Sequence, residues 1–156
     1  HFQSGWPKFF VLFGATGGFS GFLPLAPGTW GSAVGIILFW FCRDWPFFFH
    51  VLLCVFLGLI GVWLSAVACQ ILKKKDPPQV VVDEIVGVMI TVLGMPVTGF
   101  WLLAGFLIFR LLDVIKPVPA NLFDSHVKNG LGVMMDDVVA GIYGNIILHL
   151  MLRAQL

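Results

Sequence analysis

The chain alternates long apolar stretches with short breaks marked by proline, glycine or charge. Phe47–Leu72 is an unbroken apolar run, longer than the about 20 residues a helix needs to cross a bilayer. It stops at Lys73-Lys74-Lys75-Asp76-Pro77-Pro78. Before it, Trp30–Cys42 reads as a helix ended by Arg43-Asp44-Trp45-Pro46, a set suited to a membrane–water interface. After it, Val80–Leu93 resumes a helix that breaks at Gly94-Met95-Pro96-Val97-Thr98-Gly99. Phe100–Ile115 follows, ended by Lys116-Pro117-Val118-Pro119, and a loop to about Gly130 leads into a last helix, roughly Leu131–Leu152.

The stretch from Lys8 to Gly31 is apolar but dense in glycine and proline, which disfavours a continuous helix. Irregular backbone at membrane depth survives only where protein or a wet cavity satisfies it. This stretch therefore reads as a re-entrant or interfacial segment feeding a functional loop. The expected fold class is all-α, an integral membrane helical bundle. No repeat and no second domain is visible, so residues 6–156 form one domain, with His1–Gly5 a candidate tag remnant outside it.

Composition strengthens the membrane reading. Of 156 residues 59% are apolar and only 11% charged, where a soluble domain carries about 25% charged residues. Too little polar side chain remains to coat a soluble monomer. A net charge of +1 gives no basic stripe for nucleic acid. Cys42, Cys54 and Cys69 lie in apolar runs without C-x-x-C spacing and read as buried packing residues. Alternate crossings place Lys8, Lys73, Lys74, Lys75, Arg110, Lys116 and Lys128 on one side and only Arg43 and Arg153 on the other. The positive-inside rule predicts that the first group faces the cytoplasm, giving a multi-pass protein of the cytoplasmic membrane.

The acids are unevenly placed. Asp44 and Asp76 sit in turns beside basic residues, whereas Asp83, Glu84, Asp113, Asp124, Asp136 and Asp137 all fall toward the predicted cytoplasmic end. An ionisable group near hydrocarbon costs at least about 2.5–3.5 kcal/mol at mid-depth and is rarely kept without a partner or task. Asp83-Glu84 and Asp136-Asp137 are each expected to begin a helix. A single acid there would need only the helix dipole as its reason, at about 0.3–1 kcal/mol. Two adjacent pairs brought together repel, and resist ionisation unless cations neutralise them. Asp83, Gly87 and Thr91 repeat at i, i+4, i+8, as do Asp136, Ala140 and Gly144, and Asp137, Gly141 and Asn145. Small residues behind each acid let helices pack closely and point the carboxylates inward.

Arg110, Asp113 and Lys116 share a face by their i, i+3, i+6 spacing. They form either an intrahelical pair with a snorkelling lysine or a cationic clamp for phosphate. PGTWGS at 27–32 supplies backbone N–H groups freed by Gly28 and Gly31 and the hydroxyls of Thr29 and Ser32 ahead of a helix, an anion seat but not a P-loop. Carboxylates without a nearby cysteine or a histidine pair select Mg²⁺ over zinc. His50 and His149 read as structural; His126 lies in the loop near the site.

PGTWGS at 27–32, VVDEIVG at 81–87, FRLLDVIKPVP at 109–119 with Asp124 after it, and GLGVMMDDVVAG at 130–141 occur in that order. In these motifs the chain resembles the phosphatidylglycerophosphatase A family of bacterial membrane lipid phosphatases. The resemblance implies Mg²⁺-dependent removal of the terminal phosphate of phosphatidylglycerophosphate, a phospholipid of the bilayer, to give phosphatidylglycerol at the cytoplasmic face of the bacterial inner membrane. Other phosphatase chemistries lack their residues: there is no D-x-D, no C-x₅-R, no paired-histidine pattern and no D-x₂-D-G-x₂-A-R.

The expected mechanism uses Asp83, Glu84, Asp136 and Asp137 as ligands to one or two Mg²⁺, with Asp137 also a candidate to orient or deprotonate the attacking water. Arg110 and Lys116 neutralise the phosphate, and Asp113 holds Arg110 or ligates metal. Gly28, Thr29, Gly31, Ser32 and Asp124 contact the substrate. A transporter or ion pathway using the same acids as cation ligands is the alternative, disfavoured because the acids gather at one end and not at the midplane. A noncatalytic scaffold would not need both acid pairs. The sequence leaves the oligomeric state open, a homo-oligomer included.

Overall fold

The computed structural model describes residues 5–74, 77–118 and 130–154. Among these residues the chain is all helical: α1 (Gly5–Ala15), a 3-10 turn at Ser20–Phe22, α2 (Pro27–Phe41), α3 (Phe47–Leu72), α4 (Val82–Thr91), α5 (Gly99–Ile115) and α6 (Gly130–Ala154). α3 spans the stretch predicted from the apolar run. The other helices differ from expectation mainly at their ends. α2 starts earlier, because Pro27 takes the first helical position, where its missing N–H costs nothing. PGTWGS is thus helix, not loop.

The N-terminal stretch is broken, but not throughout. Its glycines concentrate after Gly14, so residues up to Ala15 form α1, whose proline sits in the first turn. Gly17, Gly18 and Phe19 then take successive left-handed conformations (φ 56°, 66° and 67°) and end the helix. Val81 N–H donates to the Ala15 carbonyl at 2.9 Å, tying the end of α1 to the start of α4.

α4 is the hub. It packs against α2, α3, α5 and α6, and eight of its ten residues are buried. Its crossing with α6 is made by the small residues behind the acids. A Cβ added to Gly141 would lie 2.5 Å from the Gly87 carbonyl oxygen, and one on Gly144 2.8 Å from Thr91 Cγ2. Thr91 Oγ1 donates to the Gly87 carbonyl at 3.0 Å and reaches the Gly141 carbonyl at 3.4 Å.

Because α4 ends inside the protein, its last carbonyls need partners. Asn145 Nδ2, on α6, donates to the carbonyls of Thr91 (3.0 Å) and Leu93 (2.8 Å). His149 Nε2 lies 3.3 Å from the Leu93 carbonyl. His50 stacks on Phe39 with ring centroids 4.6 Å apart and meets the Cys42 carbonyl at 2.9 Å. Both histidines are engaged in structure. Of the cysteines, Cys54 is buried while Cys42 and Cys69 are only half-buried, and all three are free thiols.

Phe47–Leu72 and Leu131–Ala154 are long and apolar enough to cross a membrane. The outer faces of α2, α3 and α5 expose Trp40, Phe41, Phe48, Phe56, Trp63, Leu103, Leu107 and Leu111. Apolar surface on that scale marks contact with something other than water.

Replacing Gly141 with alanine therefore pushes a methyl into the Gly87 backbone. The expected loss is about 1–3 kcal/mol, read as a lower unfolding temperature in detergent. Gly99→Ala, where a Cβ meets nothing within 4 Å, is the control and should change it little.

Candidate active site

Four segments meet in a cavity of about 240 Å³. Ala26, Pro27 and Gly28 come from the start of α2, Pro78 and Val80 from the approach to α4, and Asp83 and Glu84 from its first turn. Arg110, Asp113 and Lys116 come from the end of α5, and Val133, Asp136 and Asp137 from α6.

The two acid pairs are not equivalent. Asp83 and Glu84 occupy the first turn of α4, as expected. Asp136 and Asp137 do not begin a helix, since α6 starts at Gly130 and has no acid in its first turn. They lie about two turns inside it, too far in for its dipole to account for them. Both are nonetheless buried, at 7% and 4% exposure.

One carboxylate oxygen from each of Asp83, Glu84 and Asp137 falls within 4.8 Å of the others. Asp136 lines the same cavity but stands outside that group. Its Oδ2 accepts from Lys116 Nζ at 2.9 Å, and its Oδ1 from the Asp137 backbone N–H at 3.1 Å. Asp83 Oδ1 and Glu84 Oε2 are buried without a hydrogen-bond donor. A buried oxygen left unpaired costs about 1–3 kcal/mol, and more when charged, a cost that a cation, a water or a proton shared between the two carboxyls would relieve.

The cations reach the cavity by different routes. Arg110 Nη1 donates to Asp113 Oδ2 at 2.6 Å, an i, i+3 pair within α5. Lys116 does not share their helical face. α5 ends at Ile115, and Lys116 takes a left-handed cap conformation (φ 48°) while its N–H closes on the Leu112 carbonyl at 2.8 Å. That turn directs its side chain across to α6. Gly28 closes the site from the other side. A Cβ there would fall 2.5 Å from Glu84 Oε1 and 2.8 Å from Arg110 Nη1.

Of the other expected substrate contacts, Gly31 packs against Val81, and Ser32 is buried with its Oγ donating to the Gly28 carbonyl at 2.8 Å. Helix formation from Pro27 sets Gly31 against the start of α4 and leaves Ser32 buried and bonded within α2. Thr29 is half-buried on the same first turn and does not line the cavity. Asp124 and His126 lie outside the described residues. Beneath the acids Val88, Phe109 and Ala140 pack together, each 1% exposed or less. The missed contributors are Ala26, Pro78, Val80 and Val133, apolar wall residues that carry no chemical signal, and Asn145. The lone amide of Asn145 in an apolar helix was the available cue to its capping role.

Fold and site together define a helical protein with an apolar exterior that turns carboxylates and paired cations toward a single anion-sized cavity. The family model described as phosphatidylglycerophosphatase A matches residues 13–152. The chain belongs to the phosphatidylglycerophosphatase A family and is accordingly a lipid phosphatase. It is 39% identical over 137 residues to phosphatidylglycerophosphatase A of Escherichia coli K12, covering 86% of this chain and 79% of that protein. To the enzyme of the same name in Haemophilus influenzae Rd it is 38% identical over 138 residues, covering 85% and 83%. A Bacteroides thetaiotaomicron protein, provisionally named a phosphatidylinositol-3-phosphatase, is 37% identical over 151 residues, covering 91% and 93%. No solved structure matches the chain.

The Gly28 contact gives a direct check. Gly28→Ala forces Glu84 or Arg110 out of place, and a displacement of that size costs about 10–100-fold in turnover. Phosphate release should fall by that factor while the unfolding temperature holds.

Proposed function

We propose that this protein removes the terminal phosphate of phosphatidylglycerophosphate to leave phosphatidylglycerol, using Mg²⁺, at the cytoplasmic face of a bacterial inner membrane that its helices cross. The observation that carries the reading is the gathering of Asp83, Glu84 and Asp137 within 4.8 Å beside Arg110 and Lys116 in one cavity. The residues fit a hard cation. All three donors are carboxylate oxygens, and the unpaired Asp83 Oδ1 and Glu84 Oε2 supply the need for one. Mg²⁺ held by these three groups would supply Lewis acidity toward a phosphoryl oxygen and toward water.

The chain's own residues do the remainder. Arg110 offers the phosphate a planar fork, and Asp113 fixes that fork from one turn along α5. Lys116 adds a second positive charge, held at the cavity by Asp136. In this division Asp136 positions a cation, and Asp113 orients Arg110. Asp137, at 4% exposure less exposed than Asp83 or Asp136, is our candidate to orient or deprotonate the attacking water. The packed layer of Val88, Phe109 and Ala140 closes the interior below, which favours a blind reaction site over an ion pathway. The lysine runs at 73–74 and the cations at 110 and 116 support the cytoplasmic orientation by the charge rule.

The test is phosphate release by purified protein in detergent. Release from phosphatidylglycerophosphate should stop with EDTA and return with Mg²⁺. Asp83→Asn should lower it at least about 100-fold with an unchanged unfolding temperature. The name of the Bacteroides relative makes phosphatidylinositol 3-phosphate the informative competitor, and it should be hydrolysed at least about tenfold more slowly. Equal release with EDTA would remove the metal from the account, and faster release from the inositol lipid would replace the substrate.

A further inference from the structure

The wall of the cavity continues, without a break in the chain, into an apolar strip. Between the 3-10 turn and α2 run Leu23, Pro24, Leu25 and Ala26, and Ala26 is the first cavity-lining residue. Leu25 has φ 82° and is fully exposed, at 101% of its reference area. Leucine enters the left-handed region at a cost of about 1–2 kcal/mol, and a side chain so exposed returns no packing energy. Glycine or asparagine would be the economical choice for the backbone alone. An outlier of this kind beside a reaction site points to a task.

The strip is held firmly in place. Trp30 Nε1, from the first turns of α2, donates to the Pro24 carbonyl at 3.2 Å. Gly21, just upstream, is buried so closely on the Gln79 carbonyl that no Cβ could fit. Gln79 sits between Pro78 and Val80, both of which line the cavity. Phe22, Leu23 and Trp30 are exposed beside Leu25. The proposed substrate has complementary parts in the same order: an anionic terminal phosphate, then a glycerol, a phosphodiester and a second glycerol, and beyond these two acyl chains.

We propose that Leu25, flanked by Phe22, Leu23 and Trp30, is the lip on which the acyl chains of the substrate rest as they leave the cavity, and that it sets the preference for diacyl over chain-less phosphomonoesters. The inference rests on the reading that the cavity takes the terminal phosphate. Bulk bilayer contact is the competing occupant, and the two make different kinetic demands.

The experiment uses full-length protein in mixed detergent micelles with dioleoyl phosphatidylglycerophosphate, its KM expressed as mole fraction of substrate in the micelle. Leu25→Asn keeps a residue that accepts φ above zero and removes the apolar side chain. KM should rise about tenfold with kcat held within about twofold, while Leu25→Met retains the parent KM. Hydrolysis of the deacylated glycerophosphoglycerol phosphate should be the same in all three proteins. An unchanged KM in Leu25→Asn, as bulk bilayer contact alone requires, would overturn the proposal. So would an equal loss on the deacylated compound, or a Leu25→Met enzyme as impaired as Leu25→Asn. Failure of the parent protein to release phosphate from any of these would instead count against the cavity reading.

Discussion

The structure depends on how closely α4 and α6 cross. Gly87 and Gly141 bring the two backbones together, Thr91 and Gly144 continue the contact, and Asn145 caps the end of α4 from α6. In the bilayer proposed for this protein the hydrophobic effect would give helices little reason to associate, leaving small residues and interhelical hydrogen bonds to hold them. The same crossing sets the chemistry. Asp83 stands one turn before Gly87, and Asp137 one turn before Gly141, so bringing the glycines together brings the carboxylates together.

A cluster of buried carboxylates is costly by itself, and the rest of the site is organised around that cost. Lys116 neutralises Asp136 across the α5–α6 gap, and Arg110 is oriented by Asp113 along one helix. What is left over is the set of oxygens on Asp83, Glu84 and Asp137, two of them unpaired. The imbalance is directional. The positive side chains are the more exposed, Arg110 at 21% and Lys116 at 34%, and the unsatisfied oxygens of Asp83 and Glu84 are buried, the order that the proposed entry of an anionic headgroup over a bound cation requires. Val88, Phe109 and Ala140 form a buried apolar cluster on the same helices.

Much of this was legible in the sequence, because helices surrounded by apolar residues reveal themselves through run length and spacing. Phe47–Leu72 follows from its unbroken apolar run, and the i, i+4, i+8 stripes ending in Asp83 and Asp137 announce both the packing face and the acids' direction. The failures share a cause, which is that element ends depend on local geometry more than on pattern. PGTWGS looks like a glycine-rich loop, yet Pro27 starts a helix there and converts Gly31 and Ser32 into packing residues. Lys116 falls in the helical register of Arg110 and Asp113, but the helix stops one residue short and a left-handed turn redirects it. The adjacent pair Asp136-Asp137 suggests a first turn, against the apolar run that starts the last helix near Leu131; the run decides, and α6 begins at Gly130. The different fates of neighbouring Asp136 and Asp137 could not be read from two adjacent identical letters.

Manganese titration followed by electron paramagnetic resonance tests the central claim most directly, since Mn²⁺ reports occupancy of an oxygen site whether or not turnover occurs. The parent protein in detergent should bind Mn²⁺ in a form that Mg²⁺ displaces, and the double variant Asp83→Asn, Asp137→Asn should leave the free-ion signal undiminished while remaining folded. Equal binding by both proteins, or none by the parent, would contradict the account.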